Sequence, residues 1–226
     1  MEPTAIILQH KPSIPTDDLL STFARSGITG IKLRPNNVNE LPSEQLIAKS
    51  SAVVLVDIPA RNNHQLHEEE IKLIKRFRNK KKILALGTGT ITAGIAHGAK
   101  VCSDHLRLGW MPATPTNHVS GQLEKFSTKI LVNSNIKLTP PEEAKILLTS
   151  GRHVVAYKHN NLLSLDFVTN IDLTSYDLII QKAIRQKASP SPRVQTVEEL
   201  RYYRDKHLKP YRAEISNFLE HWLAKI

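Results

Sequence analysis

The chain has 226 residues, 40% of them hydrophobic and 5% aromatic, a formal net charge of +10 and one cysteine, Cys102. That size and apolar content support a real core and exclude wholesale disorder. No apolar run approaches the roughly 20 residues of a membrane-spanning helix. A single cysteine excludes an internal disulfide framework and fits a reducing compartment. The opening MEPTAIILQH lacks a basic stretch followed by an apolar one, so no secretory signal is expected and the protein reads as cytoplasmic.

In chain order, TAIILQH is a short buried strand. TDDLLSTFARSG then reads as a helix capped by Thr16, with acids in its first turn and Gly27 as its stop. GIKLRP is a second strand, and SSAVVLVDIP is a β-branched run suited to a central parallel strand covered on both faces. LHEEEIKLIKRF places Leu66, Ile71, Ile74 and Phe77 near one helical face. KKILAL is another central strand. It leads into GTGTITAGIAHG, where a tight glycine pair opens a small-residue helix, the arrangement by which many enzymes mount a nucleophile. Gly87 occupies the place where the reactive side chain would stand.

The second half is made of short strand-like stretches, STKILVNSN, EEAKILLTSG, RHVVAYKHNN and LLSLDF, with Gly151 and Asn160–Asn161 suited to hairpin turns. A helix, SYDLIIQKAIRQK, follows, then ASPSPR (Ala188 to Arg193), which reads as a linker. The final stretch opens with a capping box, Thr196 and Glu199, and Pro210 is expected to break or kink its helix. Leu208, Tyr211, Ile215, Phe218 and Trp222 form an apolar stripe that must dock on the chain itself or on a partner. The organisation expected is an α/β domain over 1–187, a linker over 188–195 and a basic amphipathic helical extension over 196–226.

Several candidate sites carry bland readings beside sharp ones. The run Lys75, Arg76, Arg78, Lys80, Lys81 and Lys82 could contact phosphate or nucleic acid, but cations are also favoured at a helix C-terminus. GTGTIT lacks the third glycine of a dinucleotide loop and the Gly-Lys-Ser/Thr of a P-loop. Its backbone N–H groups at a helix start could still hold a small anion. His64, His67 and Glu68 are close in sequence with no third metal ligand in reach, so no metal is expected. Cys102, with Asp104 and His105 nearby, reads as a packed thiol rather than a nucleophile.

From about Thr4 to about Arg185 the pattern resembles the class I glutamine amidotransferases, and within them the glutaminase subunit of pyridoxal 5′-phosphate synthase. ILALGTGTITAG stands where that family has a strand, elbow and helix reading roughly VFGTCAGLILLA. RLGWMPATPTNHVSG resembles the family's strand and following turn, and the antiparallel block running to LLSLDF resembles the one that ends in SFHPEL. The resemblance implies a flavodoxin-like three-layer fold: a mostly parallel sheet with a small antiparallel section, here with a C-terminal helical extension.

Carried over position by position, the resemblance places the family's nucleophilic cysteine on Gly87 and its His-Pro-Glu on Val168, Thr169 and Asn170. The loop that helps form the oxyanion hole falls near Asp57, Ile58 and Pro59. It implies a vestigial pocket around Thr88, Gly89, Thr90, Asp57 and His118, with no cofactor. The expected function is a catalytically inactive glutaminase-like protein acting through a protein partner, self-association or a small ligand. The alternatives are a different chemistry on the same fold using Thr88, Thr90, His97 or His118, and a basic nucleic-acid-binding protein.

Overall fold

The computed structural model describes residues 2–60, 62–116, 129–185 and 193–224. An eight-stranded sheet has the order β2 (Thr29–Leu33), β1 (Thr4–Leu8), β3 (Ala52–Leu55), β4 (Lys82–Leu86), β10 (Leu162–Leu165), β9 (His153–His159), β8 (Lys145–Ser150) and β6 (Thr114–Pro115). The pairings from β2 across to β10 are parallel, and those from β10 to β6 are antiparallel. A separate antiparallel ribbon joins β5 (Lys100–Pro112) to β7 (Lys129–Thr139).

Period-two alternation in the central strands divides the core into two layers. Ala5, Ile7, Val54, Leu84 and Leu86 face one side, where they meet α1 (Asp17–Arg25), α5 (Leu173–Arg185), α6 (Val197–Leu223) and the ribbon. Ile6, Leu8, Val53, Leu55, Ile83 and Ala85 face the other, against α2 (Glu44–Lys49), α3 (His64–Phe77) and α4 (Gly89–Ala96). Burial on both faces is why these strands read as unbroken apolar runs. The architecture is the expected three-layer α/β fold. No helix among the described residues is long and apolar enough to cross a membrane.

Local chemistry follows the expected devices at several joints. Asn160 turns β9 into β10 at φ 51°, and Gly151 turns β8 into β9 at φ 58°. Thr196 accepts from the Glu199 N–H while the Glu199 carboxylate accepts from the Thr196 N–H. Thr16 departs from expectation. Its hydroxyl points to the Gln9 side chain rather than capping α1. Cys102 also departs: it is exposed on β5, not packed.

The C-terminal region differs most from its sequence reading. Residues 188–192 of the expected linker lie outside the described residues, but the rest pairs with the ribbon: Leu108 N–H donates to Arg193 O, and Gln195 N–H donates to Leu108 O. Pro210 does not break α6, which runs continuously over 27 residues. The proline is on the exposed face, where water can take the carbonyl it leaves unpaired. Leu208, Tyr211, Ile215 and Phe218 are buried in the same core cluster as the sheet, and Trp222 packs against it. The stripe therefore faces its own domain rather than a partner, because α1, α5 and the ribbon leave an apolar trough that it fills. Nor is residues 196–226 strongly basic, since six Lys or Arg stand against five Asp or Glu.

Just beyond the end of β10 the core holds an ion pair. Arg107 Nη2 lies 3.5 Å from Asp166 Oδ2 and donates to Ile136 O at 3.1 Å. Burial pushes the Asp166 carboxyl up to about 7 from its ordinary 3.8, partly offset by Arg107. A carboxyl that holds its proton more tightly folded than unfolded takes up protons on folding, so its contribution falls as pH rises from about 4 to about 7. The melting temperature of the native chain is accordingly expected to lose ground across that window relative to Asp166→Asn. Thermal melts of the two proteins at pH 4, 5.5 and 7 check this.

Candidate functional site

The parallel strands end together at one edge of the sheet, where open α/β folds place their ligand crevices. At the end of β4 the chain turns through Gly87, at φ 51°, directly into α4. This is the left-handed region that favours glycine. A Cβ at Gly87 would meet only Val56 O at 3.7 Å and Phe167 O at 3.9 Å, so the position has room for a side chain. Gly89 is the opposite case. Its Cβ would lie 2.3 Å from Leu55 O, which shows how closely α4 presses on β3.

Above this elbow is a cavity of about 320 Å³. Gly87, Val168, Thr169 and Asn170 all line it, so the positions that the resemblance assigns to a nucleophile, a base and its orienting acid do converge. Two hydrogen bonds hold the second segment in place. Val168 N–H donates to Leu131 O on β7, and the Tyr211 hydroxyl of α6 donates to Val168 O at 2.6 Å. The C-terminal helix thus buttresses one wall of the cavity.

The other walls come from the β1–α1 loop (Lys11, Ser13, Ile14), the end of β3 (Val56), β7 (Asn133) and α5 (Ser175, Leu178, Ile179, Lys182). Lys182 Nζ donates to Asn133 Oδ1 at 2.6 Å, tying α5 to the ribbon across the cavity. No described residue on the lining is a cysteine, a histidine or an acid. Two polar atoms of lining residues are buried without a hydrogen-bond partner among the described residues: Asn170 Nδ2 and Thr88 Oγ1. Leaving such a group unmet costs about 1–3 kcal/mol.

Of the expected pocket residues that the structure describes, only Thr88 lines the cavity. Gly89 shapes the turn from behind. Thr90 is buried, and its hydroxyl donates to Gly87 O, closing the first turn of α4. Asp57 is fully buried and accepts from the N–H groups of His10 and Lys11, each at 2.7 Å. It clamps the β1–α1 loop instead of facing a ligand. Burial raises its carboxyl pKa, and the two N–H donors pull against that rise. His118 lies outside the described residues. His97 is buried at the far end of α4 with Nδ1 against Ala93 O, so it is not assembled with Thr88.

The acidic run on α3 also differs from a solvated helix start. Glu70 is fully buried and meets His10 Nε2 at 2.7 Å, while His67 Nε2 meets Thr92 Oγ1 at 3.0 Å. Burial lowers the His10 pKa, but the Glu70 hydrogen bond and charge outweigh it and the net shift is upward. His64 is exposed, and no group of three metal-ligating residues forms among the described residues. The basic run is partly engaged within the fold. Arg76 pairs with Glu44, Arg78 donates to Ala96 O, and Lys81 donates to Ala48 O and Ser50 O at the end of α2. Lys75 and Lys80 are exposed and Lys82 is half-buried.

Sequence reasoning missed Lys11, Asn133, Ser175 and Lys182. Lys11 follows the first strand by a few residues, so the rule that sites gather at strand C-termini could have flagged it. Lys182 sits on a helix of ordinary amphipathic pattern, and only the packing of α5 brings it to the cavity.

No protein-family model matches the chain, and the comparison with curated proteins returns none similar to it. Solved structures are similar to it along nearly its whole length. A glutamine amidotransferase from Thermotoga maritima shares 14% identity at a TM-score of 0.78, covering 99% of both chains. A glutamine amidotransferase from Methylobacillus flagellatus shares 19% at a TM-score of 0.77, covering 99% of this chain and 93% of that one. Identities this low speak to architecture alone, and on that level the chain has the class I glutamine amidotransferase-like fold.

Proposed function

We propose that this chain is a non-catalytic glutaminase-like protein, nearest in motif order to the glutaminase subunit of pyridoxal 5′-phosphate synthase, which acts by binding. The observation that supports this is the lining of the cavity over the elbow: Gly87, Val168 and Asn170 converge there, and no described lining residue carries a thiol, an imidazole or a carboxylate. Amide hydrolysis through a thioester needs a nucleophile, a proton acceptor and donors for the oxyanion. Glycine cannot attack and valine cannot take a proton. The substrate also fits poorly, since the α-ammonium of glutamine would meet two lysines and no described carboxylate.

A partner is part of the reading. The exposed large apolar residues include Leu173, Leu178 and Ile184 on α5, and Leu178 also lines the cavity. A subunit docked on α5, of the kind a synthase complex would supply, would cover the cavity mouth.

The correspondence of positions is tested by grafting. Gly87→Cys introduces a thiol into open space, and Val168→His adds an imidazole across the cavity. If the two positions are the family's, iodoacetamide at pH 7 alkylates the thiol at position 87 at least tenfold faster in the double variant than in Gly87→Cys alone, because a neighbouring imidazole favours the thiolate. Equal rates, with Cys102→Ala in both backgrounds, would remove the basis of the reading.

A further inference from the structure

We infer that the cavity over Gly87 binds a small organic anion, a carboxylate carrying an apolar body, with Lys11 and Lys182 supplying the counter-charge. The inference rests on the non-catalytic reading and gives it a ligand class.

Charge carries the first part of the argument. The described lining holds two lysines and no acid, and a lysine within low-dielectric walls favours a negatively charged ligand. The helix α4, eight residues long, begins at its floor and adds the positive end of its dipole, its Thr90 and Ile91 N–H groups already donating to Gly87 O and Thr88 O. For a cation's charge the described lining offers no carboxylate partner. An anion has the two lysines.

The second part is the unmet hydrogen-bonding groups. Asn170 is only 9% exposed and its Nδ2 has no partner among the described residues; Thr88 is half-buried, and its hydroxyl oxygen is buried without a partner among them. Both residues line the cavity, one from each side of the elbow. Two unmatched donors beside two lysines call for a ligand that accepts, which an oxyanion does with each oxygen. Small side-chain adjustments would aim both at it.

The third part is the apolar wall. Ile14, Val56, Val168, Ile171 and Ile179 line the remainder, an excess that inorganic phosphate would leave unused. The volume falls at the low end of small-molecule pockets, roughly 300–1,000 Å³. A short branched or dicarboxylic acid uses both the wall and the charge.

Calorimetric titration of the full chain at pH 7 and low salt tests this with four probes: 4-methylvalerate, glutarate, 4-methylvaleramide and inorganic phosphate. At least one of the two carboxylates is expected to bind tenfold or more tighter than the neutral amide, and tighter than phosphate. Lys182→Met and, separately, Lys11→Met on the exposed rim should each weaken that binding at least tenfold, with melts confirming that the variants are folded. Phosphate binding as tightly as the carboxylates would make the site a plain phosphate cradle and overturn the apolar-body claim. Equal affinity for acid and amide, no binding of either acid, or unchanged affinity in the folded lysine variants would overturn the inference altogether. Ammonia release from L-glutamine would instead sink the non-catalytic reading, so the two failures are distinct.

Discussion

Truncation ahead of Thr196 is expected to abolish cooperative folding rather than trim an appendage. Leu200, Leu208, Tyr211, Ile215, Phe218, Leu219 and Leu223 are all buried, in one cluster with β1, β3, β4, α1 and α5. Full burial of one such side chain is worth about 1.5–3 kcal/mol, and a whole domain is stable by only about 5–15 kcal/mol. Removing seven of them at once exceeds any margin the rest of the fold holds. Aromatic contacts add to the loss, because the Tyr176 hydroxyl donates to Leu200 O and Trp110 packs edge-on against Tyr211. Near-UV circular dichroism and thermal melts of residues 1–195 check this; a sharp transition within a few degrees of the full chain would contradict it. The point variant Tyr211→Phe removes only the hydroxyl. It keeps the ring, loses the hydrogen bond to Val168 O, and is expected to cost about 1–3 kcal/mol by leaving that carbonyl unmet.

The second large effect is expected at the elbow. Gly89→Ala puts a Cβ 2.3 Å from the Leu55 carbonyl oxygen, a backbone atom with nowhere to go, so α4 must shift away from β3. The expected cost is several kcal/mol, the range of overpacked or strained core sites. Gly87→Ala is the informative control. It has room, and bears only the left-handed backbone penalty of about 1–2 kcal/mol. Chemical denaturation of both variants should rank Gly89→Ala as the more damaging by at least 2 kcal/mol. Equal costs would mean that the turn is looser than its geometry. Of these two glycines, the one with room for a side chain is Gly87, where the resemblance places the family's nucleophile.

The elements most legible in the sequence were those whose residues report their own surroundings. SAVVLV and ILAL are buried on both faces, and their unbroken apolar runs say so. Asn160, Gly151 and the Thr196–Glu199 box satisfy local geometry that needs no tertiary information. What was not legible depended on contacts distant in sequence. An apolar stripe on α6 reveals that a face is buried but not what covers it, and here α1, α5 and the ribbon do. Glu70 sits in an acidic run that resembles a solvated helix start, yet His10, 60 residues away, draws it into the core. Asp57 falls where the resemblance puts an oxyanion loop, and its two N–H donors show a clamp instead. At the cavity, the positions Gly87, Val168 and Asn170 were readable by their order along the chain. Lys182 was not, because a lysine on a helix is ordinary until packing brings it beside Asn133.

Glutaminase chemistry is expected to be absent from this chain, and a continuous assay of ammonia release from L-glutamine measures it directly. At saturating glutamine and pH 7 to 8, the purified full-length chain is predicted to release ammonia no faster than buffer, alone or with any subunit that co-purifies with it. Sustained turnover by the native chain, reduced a hundredfold or more in Thr88→Ala, would show a working nucleophile at the elbow and contradict the account.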